Sequence, residues 1–350
     1  MFVAWRELRS ARGRFLLIGA VVALLTLLVG FLSGLTGGLA LQNVSAVLAV
    51  PADRFVFSGG DDAPSFADSA VTARQAAEWS ALAGVDSVEP LGIVQARAES
   101  GASHLGVAVL GSSSALGAPS AAGGIALTTA AASSLGVGVG GAVTIAGTSF
   151  TVSSIGGDDW YSHTPVVRLQ LGDWQHLAAA LGSPVEATVL AVRGAPDWAS
   201  AEAATGTVTR SPVASLTAIG SFRSEIGSLL MMVAMLFGIA ALVVGAFFTV
   251  WTMQRSGDVA VLKALGASTP SLLRDALGQA LAVLLAGTLV GMAAVVALGA
   301  LAGTALPFLL SPLTTLAPAA LMIALGLLGA AAALRTVVST DPLTALGSAR

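Results

Sequence analysis

Uncharged apolar runs separated by polar stretches dominate the pattern of this chain, and the longest runs predict membrane-spanning helices. Residues 15–41 and 226–251 carry no charged side chain. Each run exceeds the roughly 20 residues that a helix needs to cross about 30 Å of hydrocarbon. Two further apolar runs follow, and we predict four transmembrane α-helices at 15–41, 226–253, 276–306 and 319–334.

The first of these runs is longer than the apolar core of a secretory signal, which has about 7–15 residues, so we predict a retained span. It contains Gly30, Gly34 and Gly38 at four-residue spacing. Overlapping GxxxG patterns of this kind let a second helix approach closely. Because glycine is abundant along the whole chain, specific packing and chance spacing stay equally open at this point.

Residues 42–225 have a different pattern, because their apolar runs shorten to strand length and turn residues separate them. We predict a large α+β domain of about 180 residues there, a usual size for one domain. Thr72 is the expected N-cap of its first helix and Gly84 the expected end, and 118–132 is predicted to be a loop of low complexity. The predicted strands are 54–59, 87–99, 104–111, 142–156 (as a hairpin), 164–169 and 186–193, and the predicted helices are 72–85, 171–182 and 197–206.

Polar or proline-containing segments connect and flank the predicted spans. Residues 1–14 carry four arginines and Trp5, and they predict an amphipathic helix at the membrane interface, with a solvated basic tail as the alternative. Residues 254–275 form a charged connector, 307–318 a short loop with three prolines, and 335–350 a polar tail.

Composition and charge agree with a membrane protein and indicate its orientation. The chain is 55% hydrophobic and 10% charged, against about 25% charged residues in soluble domains. Segment 42–224 holds seven basic and fourteen acidic residues, whereas the rest holds nine basic and five acidic ones. All nine of those basic residues lie in 1–14, 254–275 or the tail, and basic residues flank spans on the cytoplasmic side. We therefore predict a plasma-membrane protein with cytoplasmic termini and connector and an extracellular 42–225, and no nucleic-acid partner.

Motifs for catalysis are absent from the sequence. There is no cysteine and no phosphate-binding loop, since Lys263 is the one lysine and no glycine-rich turn precedes it. His104, His163 and His176 lack metal-ligand spacing, and we interpret each as a surface or capped histidine. A polar loop is favoured over a ligand site for the cluster at 158–163. We predict a non-catalytic protein without a metal site or an intrinsic cofactor.

Glu225 is the informative charge beside the apolar runs, with Arg223 next to it at the start of the second predicted span. On a helix Glu225 and Met232 share one face, and Met231 is turned about 100° from Met232. A carboxylate above polarisable methionines is suited to an amphiphile with a metal centre. The alternative, favoured by the residues alone, is that Glu225 caps the helix N-terminus, where its charge is stabilising.

The connector sequence QRSGDVAVLKALGASTPSLLRDA resembles the RRREIGVLKALGA connector of MacB/FtsX-type ABC transporter permeases, also called type VII. The N-terminal WRELR with the apolar FLLIGAVVALL and the C-terminal DPLTALGSAR are similar to the ends of that family. The order of one span, a large outside domain and three spans also matches. Asp258 stands where the family usually has glutamate, and the connector begins with one arginine where the family has several.

This resemblance implies a homodimer of permeases in membrane lipid, bound to two copies of a separate cytoplasmic ATPase subunit that holds ATP-Mg. Residues 257–267 would be the helix seated on the ATPase, whose strokes would move the spans and the outer domain (mechanotransmission). The implied coupling residues are Val261, Leu262, Leu265 and Gly266 for packing and Asp258 and Lys263 for polar contacts.

Chain length makes haem-efflux permeases of the HrtB kind, or lipoprotein-releasing ones, the most similar members. The resemblance implies haem as the candidate substrate, extruded from the membrane after entering sideways between the first and second spans. The implied contact residues are Gly34, Leu35, Arg223, Glu225, Met231 and Met232. Two alternatives stay open: an FtsX-like transmitter that controls a cell-wall hydrolase, and a lipoprotein-releasing permease.

Overall fold

A computed structural model describes residues 12–60, 63–254, 257, 261, 265–266, 268–303 and 306–338. The chain separates into two compact units, which we call the sheet unit, Leu39–Gly227, and the membrane unit, Met1–Gly38 with Ser228–Arg350. Among the described residues, four helices are long and apolar enough to cross a membrane. The predicted class, four spans with an α+β domain between the first and the second, is confirmed.

The elements follow one another in this order: α1 Arg12–Leu48, β1 Arg54–Ser58, α2 Ala73–Ser80, β2 Val85–Ser100, β3 Ser103–Ser112, β4 Gly124–Leu127, α3 Thr129–Leu135, β5 Ala142–Ile145, β6 Thr148–Ile155, β7 Trp160–Tyr161, β8 Thr164–Gln170, α4 Leu171–Ala180, β9 Val189–Gly194, α5 Trp198–Thr205, β10 Thr207–Arg210, α6 Pro212–Ser215, α7 Gly220–Gln254, α8 Thr269–Ala302 and α9 Pro312–Val338.

The strands of the sheet unit form two groups that share one long strand, β2. The first half of β2 pairs with β9, which continues through β1 to β10. The second half pairs with β3, and the order β3-β8-β4-β6-β5 returns to β2 through Ala98 and Ile145. This second group therefore closes on itself as a small barrel, which removes its free edges.

The barrel core depends on two glycines beneath one tryptophan. Trp174 of α4 is buried, and its indole Nε1 donates to the carbonyl oxygen of Val109 at 3.2 Å. A Cβ atom at Gly92 or Gly111 would overlap the Trp174 side chain. Small residues at these two strand positions thus let a helix lie close to the sheet.

Two sequence predictions inside this unit are wrong. Segment 118–132 is not a loop, because it contains β4 and the start of α3, whose N-cap is Thr128. Its alanine- and glycine-rich sequence hid a short buried strand. The first helix has the predicted Thr72 cap, but its C-cap is Ala81, and Gly84 with φ +84° lies in the turn before β2.

The helices next to the sheet unit begin or end beyond the predicted spans. Helix α1 continues to Leu48 and α7 begins at Gly220, so both enter segment 42–225. Val44 and Val47 pack into the core of the sheet unit, and this packing stabilises the last turns of α1. Helix α9 begins at Pro312, inside the predicted 307–318 loop, because proline is compatible with the first helical turn.

The three spaced glycines of the first span lie close to other residues of the membrane unit, which favours specific packing over chance spacing. A Cβ at Gly30 would press on Val295 of α8, and one at Gly34 would overlap the ring of Phe308. A Cβ at Gly38 would overlap the backbone carbonyl of Pro307. Lipid offers no hydrophobic drive between helices, so contacts of this kind hold the bundle together.

Replacing Gly38 by alanine tests this packing. The added Cβ meets backbone that cannot rotate away, and we expect the free energy of unfolding to fall by about 1–3 kcal/mol. The measurement is the thermal midpoint of the purified full chain in detergent. Gly19→Ala is the matched control, because nothing lies within 4 Å of that position and the midpoint should not fall. Equal midpoints for Gly38→Ala and the control would contradict the account.

Candidate functional site

The β7–β8 hairpin turns through two residues in an unusual conformation. Ser162 and His163 have φ of 49° and 62°, and the flanking pair is Tyr161 with Thr164. Positive φ at both central residues is the type I′ arrangement, which normally selects Asn-Gly. Neither residue is glycine, so the turn persists at a cost that its surroundings offset.

Helix α1 supplies those surroundings through two backbone carbonyls and one serine hydroxyl. The amide of Ser162 donates to the carbonyl of Asn43 at 3.0 Å, and the amide of His163 donates to the carbonyl of Gln42 at 2.9 Å. The amide of Trp160 donates to the hydroxyl of Ser45 at 2.8 Å. Three hydrogen bonds therefore fix the hairpin to the last turns of α1.

The side chain of Glu225 joins the same turn to α7. Its Oε2 lies 2.8 Å from Nε2 of His163 and accepts from Nδ2 of Asn43 at 3.2 Å. Nε2 of His163 also lies 2.9 Å from Nδ2 of Asn43, so it either donates to the carboxylate or accepts from the amide, according to its tautomer. The two side chains of the pair are 32% and 41% exposed, so water reaches them.

Serine hydroxyls close these contacts into a ring. Ser221 of α7 donates to Oδ1 of Asn43 at 2.5 Å, which leaves its oxygen to accept from Ser162 at 2.7 Å. Asn43 is buried and uses both ends of its amide. We call Asn43, Ser162, His163, Ser221 and Glu225 the Glu225 cluster. The prediction that Glu225 caps a helix N-terminus is wrong, because α7 begins five residues earlier and the carboxylate bonds to this cluster.

The methionines of α7 are exposed within the membrane unit. Met231, Met232 and Met235 have 65%, 49% and 62% of their surface accessible. Met235 lies one turn from each of the other two, so the three thioethers cover one side of the helix. This side is open to lipid or to a ligand dissolved in it.

The other predicted substrate residues differ in their access. Arg223 is exposed, and Leu35 is half-buried. Gly34 is buried, and the ring of Phe308 lies against it. The centroid of the same ring is 4.9 Å from that of Phe31. The structure thus leaves no room for a ligand at Gly34 in this conformation. In the described part of the chain, no group of three His, Cys, Asp or Glu residues could hold a metal ion.

The predicted coupling residues are partly described. Val261 is helical, and Val261 and Leu265 are 57% and 79% exposed. Gly266 follows with φ +93°, a conformation that favours glycine at a helix end. Asp258, Leu262 and Lys263 lie outside the described residues, as do the predicted amphipathic segment up to residue 11 and the tail from residue 339.

Four helices that are long and apolar enough to cross a membrane, with a sheet domain between the first two, indicate a multi-pass membrane protein. Residues 230–342 match the FtsX-like permease C-terminal family. The chain is 25% identical over 285 residues to a putative hemin transport system permease protein HrtB of Staphylococcus haemolyticus, covering 78% of each protein. These findings confirm the predicted resemblance to ABC transporter permeases of the MacB/FtsX type.

Two solved structures resemble the sheet domain at low similarity. One is the extracellular domain of the noncanonic ABC-type transporter YknZ from Gram-positive bacteria, with 11% identity, a TM-score of 0.32, and 47% of this chain and 91% of that chain covered. The other is the periplasmic region of MacB from Actinobacillus actinomycetemcomitans, with 10% identity, a TM-score of 0.36, and 48% and 92% covered.

Sequence reasoning placed Glu225 at the site but missed its partners. Asn43 fell near the end of a span, and His163 was interpreted as an isolated surface or capped histidine. The signal for His163 is its position between the strand-like pairs Trp160–Tyr161 and Thr164–Pro165, which is the spacing of a two-residue hairpin. Nothing in the sequence indicates that this turn meets Asn43.

Tyr161, the residue before the turn, reports on the environment of the hairpin. It is buried, with the ring of Phe66 at 6.2 Å, and burial raises the pKa of its phenol well above the ordinary value. A raised pKa favours the neutral form in the folded state. The stability that this group contributes is therefore present below pH of about 10 and is lost as pH rises further.

Tyr161 is the one tyrosine of the chain, so its ionisation can be followed by phenolate absorbance. We expect the folded full chain to show little phenolate at a pH slightly above 10, where a free tyrosine is more than half ionised. The same titration in denaturant is the control and should give the ordinary pKa. Half-ionisation of the folded chain near pH 10 would contradict a buried Tyr161 beside the cluster.

Proposed function

We propose that this chain is the permease subunit of an ABC efflux transporter that uses ATP hydrolysis by a separate cytoplasmic ATPase to extrude haem from the membrane. The observation that carries this proposal is the similarity, across 78% of each chain, to a protein named as a hemin transport permease. The FtsX-like match includes the connector between α7 and α8, which is the segment proposed to meet the ATPase.

The proposed orientation puts the termini and the connector in the cytoplasm and the sheet unit outside. Nine basic residues lie in the N-terminal arm, the connector and the tail, whereas segment 42–224 has twice as many acidic as basic residues. The bias of lysine and arginine toward cytoplasmic segments supports this arrangement. A domain as long as the sheet unit can cross the membrane whatever its own charge.

The proposed docking point for the ATPase is the apolar side of the connector. Val261 and Leu265 are exposed and one helical turn apart, which gives a small apolar face for a groove in a partner. Gly266 ends this segment with a left-handed residue, so the chain can turn back toward α8. Leu262, Asp258 and Lys263 remain proposed contacts from the sequence.

Haem is the proposed substrate because its chemistry suits the exposed methionines. It is flat and apolar and carries two carboxylates, so it partitions into lipid. Thioether sulfur contacts aromatic surfaces favourably and is a known axial ligand of haem iron. Met231 and Met232 are the proposed contacts on α7, with Leu35 and Arg223 as further candidates. Glu225 is proposed as a contact whose carboxylate is already engaged by its cluster.

A homodimer is the proposed assembly. The apolar window of α7 is 11% buried, against 28%, 33% and 28% in the other three spans. The side of α7 that the rest of the chain leaves open is available to a second copy and to the substrate. Two permeases would then present two connectors to two ATPase subunits.

The experiment is ATP hydrolysis by the reconstituted permease and ATPase, with and without haem. We expect haem to stimulate hydrolysis severalfold. Val261→Asp combined with Leu265→Asp should abolish association, because two carboxylates would be buried without partners at the contact. Val139→Asp, at an exposed turn of the sheet unit, is the matched control and should behave as wild type.

The substrate is tested separately by haem absorbance. We expect Met232→Leu or Met231→Leu to change the Soret band of the bound haem, and Met253→Leu, an exposed methionine at the other end of α7, to leave it unchanged. A protein that binds no ATPase would overturn the function. Stimulation by a protein partner in place of haem would favour the transmitter.

A further inference from the structure

The Ser162–His163 turn is an unfavourable choice if its role is stability alone. Both residues hold positive φ, which is unfavourable for residues other than glycine. The contact with Glu225 returns little stability, because its side chains are partly exposed and water competes for them. An Asn-Gly turn would fold at lower cost but would have no imidazole to reach α7. The chain therefore keeps a strained turn at the position where the imidazole can reach α7.

The Ser162–His163 turn connects three elements of the sheet unit, which are α1, α7 and β8. The backbone of the turn bonds to α1 through Gln42 and Asn43, and its side chains bond to α7 through Ser221 and Glu225. The turn leads directly into β8, which pairs in parallel with β3 and antiparallel with β4. Strand β8 is therefore an interior strand of the barrel, between two neighbours.

Close packing around β8 makes the link stiff. Val166, Val167 and Leu169 of this strand are fully buried, so β8 cannot shift without moving its neighbours. At the other end of the hairpin, the guanidinium of Arg168 bonds to Asp159 at 2.5 Å. A change in the spacing of α1 and α7 must either break the Glu225 cluster or displace this hairpin.

We propose that the Ser162–His163 turn is the point at which movement of α1 and α7 is passed to the barrel, with Asn43 and Glu225 as positioning residues. This inference rests on the proposed function for the source of the movement, which is the ATPase. The five residues of the Glu225 cluster and strand β8 carry this movement. This role also explains why Glu225 is partly exposed yet held by contacts with both Asn43 and His163.

The test is hydrogen–deuterium exchange of the full chain in lipid nanodiscs, read for peptides covering 158–170. In a first arm without nucleotide, Glu225→Ala should make the amides of the turn exchange about tenfold faster, since hydrogen bonds to a charged group are lost. Glu99→Ala is the matched control, because it removes the other His–Glu pair, His104 with Glu99 at 3.5 Å, at the β2–β3 turn. That variant should leave 158–170 unchanged.

A second arm adds the ATPase and compares exchange with and without ATP and vanadate. We expect ATP to change the exchange of β8 at least threefold in wild type and in His104→Asn, and to leave it unchanged in His163→Asn. Asparagine tolerates positive φ, so His163→Asn keeps the turn while losing the reach to Glu225. A merely structural role would leave the ATP response of His163→Asn intact, and that result would overturn the inference.

The two arms separate failure of this inference from failure of the proposed function. If the ATPase binds but ATP leaves β8 unchanged in wild type, the transmission is wrong and the permease role stands. If no ATPase binds, the proposed function fails and the transmission with it. In that case the Glu225→Ala arm still decides whether the link exists, and exchange equal to that of Glu99→Ala would refute the link.

Discussion

One carboxylate, that of Glu225, sets the constraint on which the sheet unit depends. It accepts from Asn43 and lies 2.8 Å from Nε2 of His163, and through these contacts it holds a strained turn against α1 and α7. The pair is half-exposed, so the effect of these bonds lies in position and not in stability. Where the two long helices join the sheet unit, their separation is therefore fixed by hydrogen bonds of known length.

The membrane unit obeys a different constraint, because lipid provides no hydrophobic drive between helices. Glycine faces let α1 approach α8, and Phe308 fills the space beside Gly34 and Gly299. Helix α7 is the least buried of the four long helices in the described part of the chain, and it exposes four methionines. The helices of the membrane unit are therefore closely packed around the glycines of α1, whereas most of the surface of α7 is exposed. A permease that takes an amphiphile from lipid requires such an open side.

The sequence predicted the features that follow from the pattern of hydrophobic residues. It missed the features that depend on tertiary contacts. Four spans, most strands and the Thr72 cap followed from period and turn residues. Strand β4 was missed, since four residues among glycine and alanine give no pattern, and Pro312 was placed in a loop although proline also begins helices. Glu225 stood out as a charge beside an apolar run. Its partners His163 and Asn43 are 62 and 182 residues away, and no local signal connects them.

The proposed function requires a particular sidedness, with the connector in the cytoplasm beside the proposed ATPase and the sheet unit outside. The chain has no cysteine, so single cysteines can report sidedness without a background. Val139→Cys in the sheet unit and Leu265→Cys in the connector are both exposed sites. A thiol reagent that cannot cross membranes should label Val139→Cys in intact cells and Leu265→Cys only after lysis. Labelling of Leu265→Cys in intact cells would place the connector outside and contradict the account.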